Sequence, residues 1–294
     1  MLQPRGACRA PFVPQHPSLP YPNAARHNQI PPTLIIDIGA NVGDTSSSLM
    51  SHFSSADCHR FWANVPQKQA GAFDRCTSAT AIFVAYEPMP ANYGVLQQRA
   101  TFELWAAANW TGYQMALTSP ELVPPSGKVQ FFTSAVEGDQ HGSMAAGAAG
   151  GGGVAVDVAA STLDAHLEKI GHGATPISLL KIDAEGFDPQ VLLGAAGALK
   201  AGRAAYVTFE YNDKWGAVSD RSLANVIESM STWGYDCYYV TPGNLIPIFG
   251  AWWDAAHEIK FWSNVMCHRH CDAESLRLVV HYNEDLAPER SDCT

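Results

Sequence analysis

In Leu34-Ile35-Ile36-Asp37-Ile38-Gly39-Ala40-Asn41-Val42-Gly43-Asp44, an apolar run broken by a single acid meets a glycine turn. A strand buried on both faces has this uninterrupted apolar character, because helices cover both sides of a parallel sheet. The turn leads into a helix expected over 45–53, which completes the strand, glycine turn and helix unit of a nucleotide-binding α/β fold. Structure is therefore expected to begin at Thr33.

Further strands are expected at 81–86, 113–117, 128–132, 153–158, 177–183, 205–210 and 235–240, with helices at about 188–199 and 222–233. Asp188 is placed to cap the first of these helices, with Pro189 at its first position. Strands alternating with helices over most of the chain predict one doubly wound, mainly parallel sheet, with no internal repeat and no second domain. The first 32 residues hold 8 of the 19 prolines and no acid, so 1–32 reads as an extended arm ahead of a single domain over 33–294. An insertion near 51–79 and a Gly/Ala-rich loop near 145–153 interrupt that domain.

Composition excludes several classes of function. The chain has 294 residues, 47% hydrophobic and 16% charged, which favours a well-filled interior over disorder. Its net charge of -10 argues against a binder of nucleic-acid phosphates. No run of about 20 apolar residues is present to span a bilayer. The arm lacks the apolar centre of a secretory signal, so a soluble cytoplasmic or organellar protein is expected rather than a secreted one. Seven cysteines are too few for a disulfide scaffold. Cys58 with Cys76 and Cys267 with Cys271 are conceivable pairs beside the simpler option of buried thiols.

Ligands of such sheets bind beyond the carboxyl ends of the strands, where Asp37, Glu87, Asp183, Glu185 and Glu210 all fall. Glu87, after the second strand, is placed to accept both hydroxyl protons of a ribose. The turn Gly39-Ala40-Asn41-Val42-Gly43 lacks the third glycine of a dinucleotide loop and is flanked by Asp37 and Asp44. Two carboxylates repel a pyrophosphate and favour the ammonium and sulfonium of S-adenosyl-L-methionine, and two glycines leave room for a methionine chain against the backbone. An NAD(P)-dependent oxidoreductase and a non-catalytic binding module on the same fold are the alternatives.

Ile36-Asp37-Ile38-Gly39-Ala40-Asn41-Val42-Gly43, Tyr86-Glu87-Pro88-Met89-Pro90, Ser161-Thr162-Leu163-Asp164, and Leu180-Lys181-Ile182-Asp183-Ala184-Glu185-Gly186 with Leu193-Gly194-Ala195 occur in that order. Together they resemble the motifs of the FkbM-type S-adenosylmethionine-dependent methyltransferases. The resemblance runs from about Thr33 to Glu210. It implies a class I, Rossmann-like methyltransferase fold and O-methylation of a small-molecule or glycan acceptor. It also implies that Asp37, Gly39, Ala40, Asn41, Gly43, Glu87, Pro88, Leu117 and Asp183 hold the cofactor, with Asp183 and Glu185 facing the transferring methyl. The sequence differs from the family in its longer connection between Asp44 and Ile82 and in Thr118-Ser119-Pro120-Glu121, where the family often has an acid. Gly142-Ser143-Met144 is only loosely similar to the family's active-site loop.

Methyl transfer needs alignment of oxygen, carbon and sulfur and the removal of one proton. Alignment supplies on the order of 7–11 kcal/mol and a positioned base about 10²–10⁴-fold in rate. Asp183 or Glu185 is the expected base, with Lys181 or His141 as further candidates. No metal is expected: Cys267-His268-Arg269-His270-Cys271 is too compact to wrap a tetrahedral ion. Trp215, Trp233, Trp252, Trp253 and Trp262 crowd the last third of the chain, where they serve either the core or a sugar ring.

Overall fold

The computed structural model of the chain describes residues 32–53, 81–103, 105, 109–133, 154–218, 221–270 and 272. The proline-rich arm up to Pro31, nearly all of the 51–79 insertion, the Gly/Ala-rich loop and His141 lie outside the described residues, as do Gly142-Ser143-Met144, Cys58, Cys76 and Cys271. In chain order the elements are β1 (Thr33–Ile38), α1 (Asp44–Phe53), β2 (Ala81–Tyr86), α2 (Pro90–Phe102), β3 (Trp110–Tyr113), β4 (Met115–Leu117), β5 (Lys128–Thr133), β6 (Val154–Ser161) and α3 (Leu163–Lys169). They continue with β7 (Ile177–Ile182), α4 (Asp188–Gly194), α5 (Ala196–Lys200), β8 (Ala204–Tyr211), α6 (Trp215–Val218), α7 (Leu223–Thr232), β9 (Tyr235–Thr241), β10 (Asn244–Pro247) and β11 (Ser263–Arg269).

The large sheet has eight strands in the order β10-β9-β11-β8-β7-β1-β2-β3. Pairings from β3 through β8 are parallel, and β11 lies antiparallel between β8 and β9. The fold is thus α/β with a mainly parallel sheet. Alternation along β1 sends Leu34, Ile36 and Ile38 into one core with Leu180, Val207, Val191, Leu199 and Ile227. Ile35 goes into the opposite core with Phe83, Leu96, Met50 and Trp105. Both faces being covered explains why the strand reads as a continuous apolar run.

Four sequence expectations are corrected. The strand expected at 113–117 is two strands: Tyr113 ends β3 in the large sheet, and Met115 starts β4 in a second, three-stranded sheet of order β4-β6-β5. Asp188 does not cap a helix from outside. It is the first residue of α4, wholly buried, and its Oδ1 accepts the backbone N–H of Glu210 at 3.1 Å. The helix expected at 188–199 breaks into α4 and α5, with Asp164 accepting the Gly197 and Ala198 N–H groups at 2.6 and 2.9 Å as the cap of α5. The cysteine pairing also differs. Cys267 is disulfide-bonded to Cys237, the residue directly opposite it in the β9–β11 ladder, so its sulfur is unavailable as a metal ligand.

Candidate functional site

Three strand ends are locked together around the first turn. Gly39 and Ala40 both donate to the Tyr86 carbonyl at 3.0 Å, and Asp183 N–H donates to the Ile38 carbonyl at 3.0 Å. Gly39 has φ +73°, and a Cβ there would stand 1.8 Å from the Asp183 carbonyl oxygen. Gly43, at φ +95°, would meet Leu96 at 2.8 Å and Trp105 at 2.9 Å. Both glycines are therefore required by the packing of the protein itself, whereas the sequence suggested that they make room for a ligand. Gly39→Ala is expected to lower stability by about 2–5 kcal/mol, from left-handed strain and backbone overlap, read as the urea midpoint at unchanged slope.

Beyond these ends opens a cleft at the carboxyl edge of the sheet, where ligands of such folds bind. Gly39, Asn41, Glu87, Pro88, Leu117, Asp183 and Glu185 line it, together with Met89, Met115, Ala116, Phe131 and Phe187. The apolar group was not singled out from the sequence. Phe131 comes from the small sheet, whose position over the cleft no local pattern reveals. Glu87 accepts Asn41 N–H through Oε2 and Met89 N–H through Oε1, each at 2.8 Å. Burial pushes its carboxyl up to about 7 against the pull of these two N–H groups and Lys181.

Asp37, Ala40 and Gly43 are not in the cleft wall. Asp37 is buried beneath the turn, where Oδ2 accepts the Ser46 hydroxyl at 2.7 Å and Oδ1 lies 3.0 Å from Lys181 Nζ. Asp44 is turned outward and pairs with Arg99. The two turn carboxylates therefore do not present their charge to a ligand; Glu87, Asp183 and Glu185 do. Lys181 also reaches the Gly39 carbonyl at 3.1 Å and Asp183 Oδ2 at 3.5 Å. Burial opposes its charge, but Asp37 and Asp183 together hold the ammonium above its ordinary value. An ammonium has three donors and no lone pair, and Lys181 directs its donors to Asp37, Asp183 and the Gly39 carbonyl, clamping the turn.

The ends of β7 and β8 carry the remaining acids. Glu185, at φ 52°, is tied to Lys214, while the Asp183 carboxylate is partly open at 42% exposure. Glu210 accepts from Asn212 Nδ2 at 2.6 Å and from the Trp262 indole N–H. Burial and then the nearby Asp183 raise its carboxyl above the ordinary range, and burial raises Asp188 to about 7. Among the described residues, no three His, Cys, Asp or Glu side chains converge as a metal site. No helix among them is long and apolar enough to cross a membrane.

The family model for the methyltransferase FkbM domain matches residues 37–237, more than two thirds of the 294. The chain belongs to the FkbM methyltransferase family. No curated protein matches it. Among solved structures it is similar to methyltransferase FkbM from Methylobacillus flagellatus KT, at 11% identity and TM-score 0.43 over 80% of this chain and 43% of that one. It is also similar to an rRNA methylase from Streptococcus thermophilus, at 11% identity and TM-score 0.37 over 81% and 87%. A third is human methyltransferase 10 domain containing protein, at 9% identity and TM-score 0.37 over 86% and 76%. The matched region thus spans less than half of the first of these chains.

Two of the FkbM motifs are scaffolding in this chain. In Ser161-Thr162-Leu163-Asp164, Thr162 caps α3 by accepting Ala165 N–H at 3.1 Å, and Asp164 caps α5. In Leu193-Gly194-Ala195, a Cβ on Gly194 would lie 2.2 Å from the Thr118 carbonyl oxygen, so only glycine lets α4 pack against the chain leaving β4. The other FkbM motifs contribute Gly39, Asn41, Glu87, Pro88, Asp183 and Glu185 to the cleft.

Proposed function

We propose that the chain is an S-adenosyl-L-methionine-dependent O-methyltransferase acting on a hydroxyl of a carbohydrate, glycoconjugate or related natural product. Glu87 carries this reading. Each of its oxygens is oriented by one backbone N–H and retains lone pairs for a ribose hydroxyl. Met115, Leu117, Phe131 and Phe187 are apolar lining suited to a flat purine. The Asn41 Oδ1 atom is buried without a hydrogen-bond partner among the described residues, and a ligand donor would satisfy it.

Bound S-adenosyl-L-methionine supplies an electrophilic methyl on a sulfonium. Asp183 and Glu185 add two carboxylates to the lining that holds Glu87, which favours a cation. Asp183, with its carboxylate partly exposed and Lys181 beside it, is the better placed acceptor of the hydroxyl proton. Glu185 is already committed to Lys214.

A melting experiment separates this function from an oxidoreductase. S-adenosylhomocysteine at about 100 times its dissociation constant adds roughly 2.7 kcal/mol, or roughly 5–10 °C at this chain length. NAD is expected to give no shift; a shift with NAD alone overturns the proposal in favour of hydride transfer, and no shift with either ligand favours a binding module.

Affinity for S-adenosylhomocysteine is also expected to depend on pH. With Glu87 raised from 4.5 to about 7, the free protein holds an extra proton in that window that hydroxyl binding must displace. Affinity then falls by up to about tenfold for each pH unit below about 7 and levels off above it. The sign for the free protein is the reverse: stability declines as pH rises through the same window, because the native state there binds more protons than the unfolded chain. Glu87→Gln should weaken binding and flatten the titration profile, since the amide keeps only one of the two acceptor oxygens that hold the Asn41 and Met89 N–H groups. A calorimetric pH series that is flat in the parent protein excludes the role of Glu87.

A further inference from the structure

The connection from β10 to β11 carries four of the nine large apolar side chains exposed among the described residues: Trp252, Ile259, Phe261 and Trp262, the last two 77% and 67% exposed. Single exposed apolar residues need no explanation, but four within eleven positions do. The segment is firmly held. Asp254 and His257 form a capping box, the Tyr239 hydroxyl donates to the His257 carbonyl, and Glu258 accepts Leu223 and Ala224 N–H groups at the start of α7. Trp262 is fixed in turn by its indole N–H, which donates to Glu210 Oε1.

Sheet order places this tryptophan relative to the cleft. Glu87 follows β2, Asp183 follows β7 and Glu210 is the penultimate residue of β8, in the lateral order β8-β7-β1-β2. Three strand spacings, roughly 14 Å, separate the Glu87 end from the Glu210 end, with Asp183 between them. A ligand whose ribose lies at Glu87 and whose reacting group lies at Asp183 leaves the Glu210 side to the second substrate. There an exposed indole face stands beside a carboxylate whose field reaches Asp183 and Glu185.

We propose that Trp262 and Glu210 form the acceptor subsite, in which the C–H face of a neutral sugar ring stacks on the indole while a ring hydroxyl donates to the Glu210 carboxylate. The assignment rests on the methyltransferase reading above and adds the residues that select the acceptor. An apolar partner would cover Glu210 and leave the lone pairs that Asn212 and Trp262 do not use without a donor, which is unfavourable. A pyranoside offers an apolar face and several hydroxyls together. Because Trp262 is held before binding, little rotamer freedom is lost on contact.

Saturation-transfer NMR on the full chain tests this, using methyl glucoside, methyl mannoside and methyl galactoside as probes and catechol as the counter-probe, each with and without S-adenosylhomocysteine. Ring C–H protons of at least one pyranoside should receive saturation. Trp262→Ala should reduce that signal by about fivefold or more, and Trp262→Phe should restore much of it, as expected of an aromatic anchor. Calorimetric affinity for S-adenosylhomocysteine should stay within about threefold in both variants, since binding at sites that share no partner is independent. A pyranoside signal that is absent, unchanged in Trp262→Ala, or replaced by catechol alone overturns the proposal. Loss of S-adenosylhomocysteine affinity along with the signal also overturns it, since that marks a structural role. Failure of S-adenosylhomocysteine to bind the parent protein sinks the methyltransferase reading instead, while the arm without it still reports on Trp262.

Discussion

Lys181→Met is expected to destabilise the fold by about 3–5 kcal/mol, because it leaves the Asp37 carboxylate buried without its cation. Asp37 is only 3% exposed and would keep the Ser46 hydroxyl as its hydrogen-bond donor. The Gly39 carbonyl would lose the ammonium at the same time. At about 2–4 °C per kcal/mol, the melting temperature should fall by roughly 6–20 °C. The pair Asp37→Leu with Lys181→Met should recover much of the loss, since removing both charges leaves nothing unpaired. A double-mutant cycle reports this as a coupling energy at least as large as the stability recovered. The sign with pH is set by the raised ammonium of Lys181. Its stabilisation is complete below the unfolded value of about 10.4 and is given up only as pH climbs through the higher folded value. If Lys181→Met melts within a degree or two of the parent protein, the buried pair does not hold the first turn.

That pair also marks where the sequence stops being informative. The apolar run of β1, the turn after it and Glu87 after β2 are local features, and local chemistry reveals them: burial on both faces removes alternation, and a positive φ calls for glycine. Asp37 looks from the sequence like a ligand for a cation because it adjoins that turn. Its actual partner is Lys181, on a neighbouring strand reached only after the whole first half of the domain. The division of 113–117 into β3 and β4 is hidden for a similar reason. Tyr113 pairs with β2 and Met115 with β6, and both environments favour the same apolar residues. Proximity along the chain offers Cys271 as a partner for Cys267, but an extended β11 sets Cys267 opposite Cys237. Trp262 could not be separated from the core tryptophans by composition. Trp215 is fully buried and Trp262 is 67% exposed, a difference that arises from the packing of β8 and α7.

Asp183→Asn is expected to lower kcat by about 10²–10⁴-fold, the contribution of a positioned base. In the proposed O-methyl transfer, S-adenosyl-L-methionine would supply the methyl group from its sulfonium, and the acceptor hydroxyl would have to give up its proton, which Asp183 would accept. Asp183 follows β7, between the strands that carry Glu87 and Glu210, and its carboxylate is 42% exposed. Its main chain is fixed by the bond from Asp183 N–H to the Ile38 carbonyl and by the tight seat against Gly39. Asparagine preserves the shape but offers an amide oxygen of negligible basicity, so the affinity for S-adenosylhomocysteine should change by less than about threefold while turnover collapses. Glu185→Gln should cost less, on the order of tenfold, because Glu185 is occupied by Lys214 and acts through charge and loop geometry. Lys214→Met separates these effects: it frees Glu185, so if Glu185 were the base, turnover would rise or hold steady. Single-turnover methylation by the three variants decides between the two carboxylates. Full turnover in Asp183→Asn would move the proton acceptor to Glu185 or to the solvent.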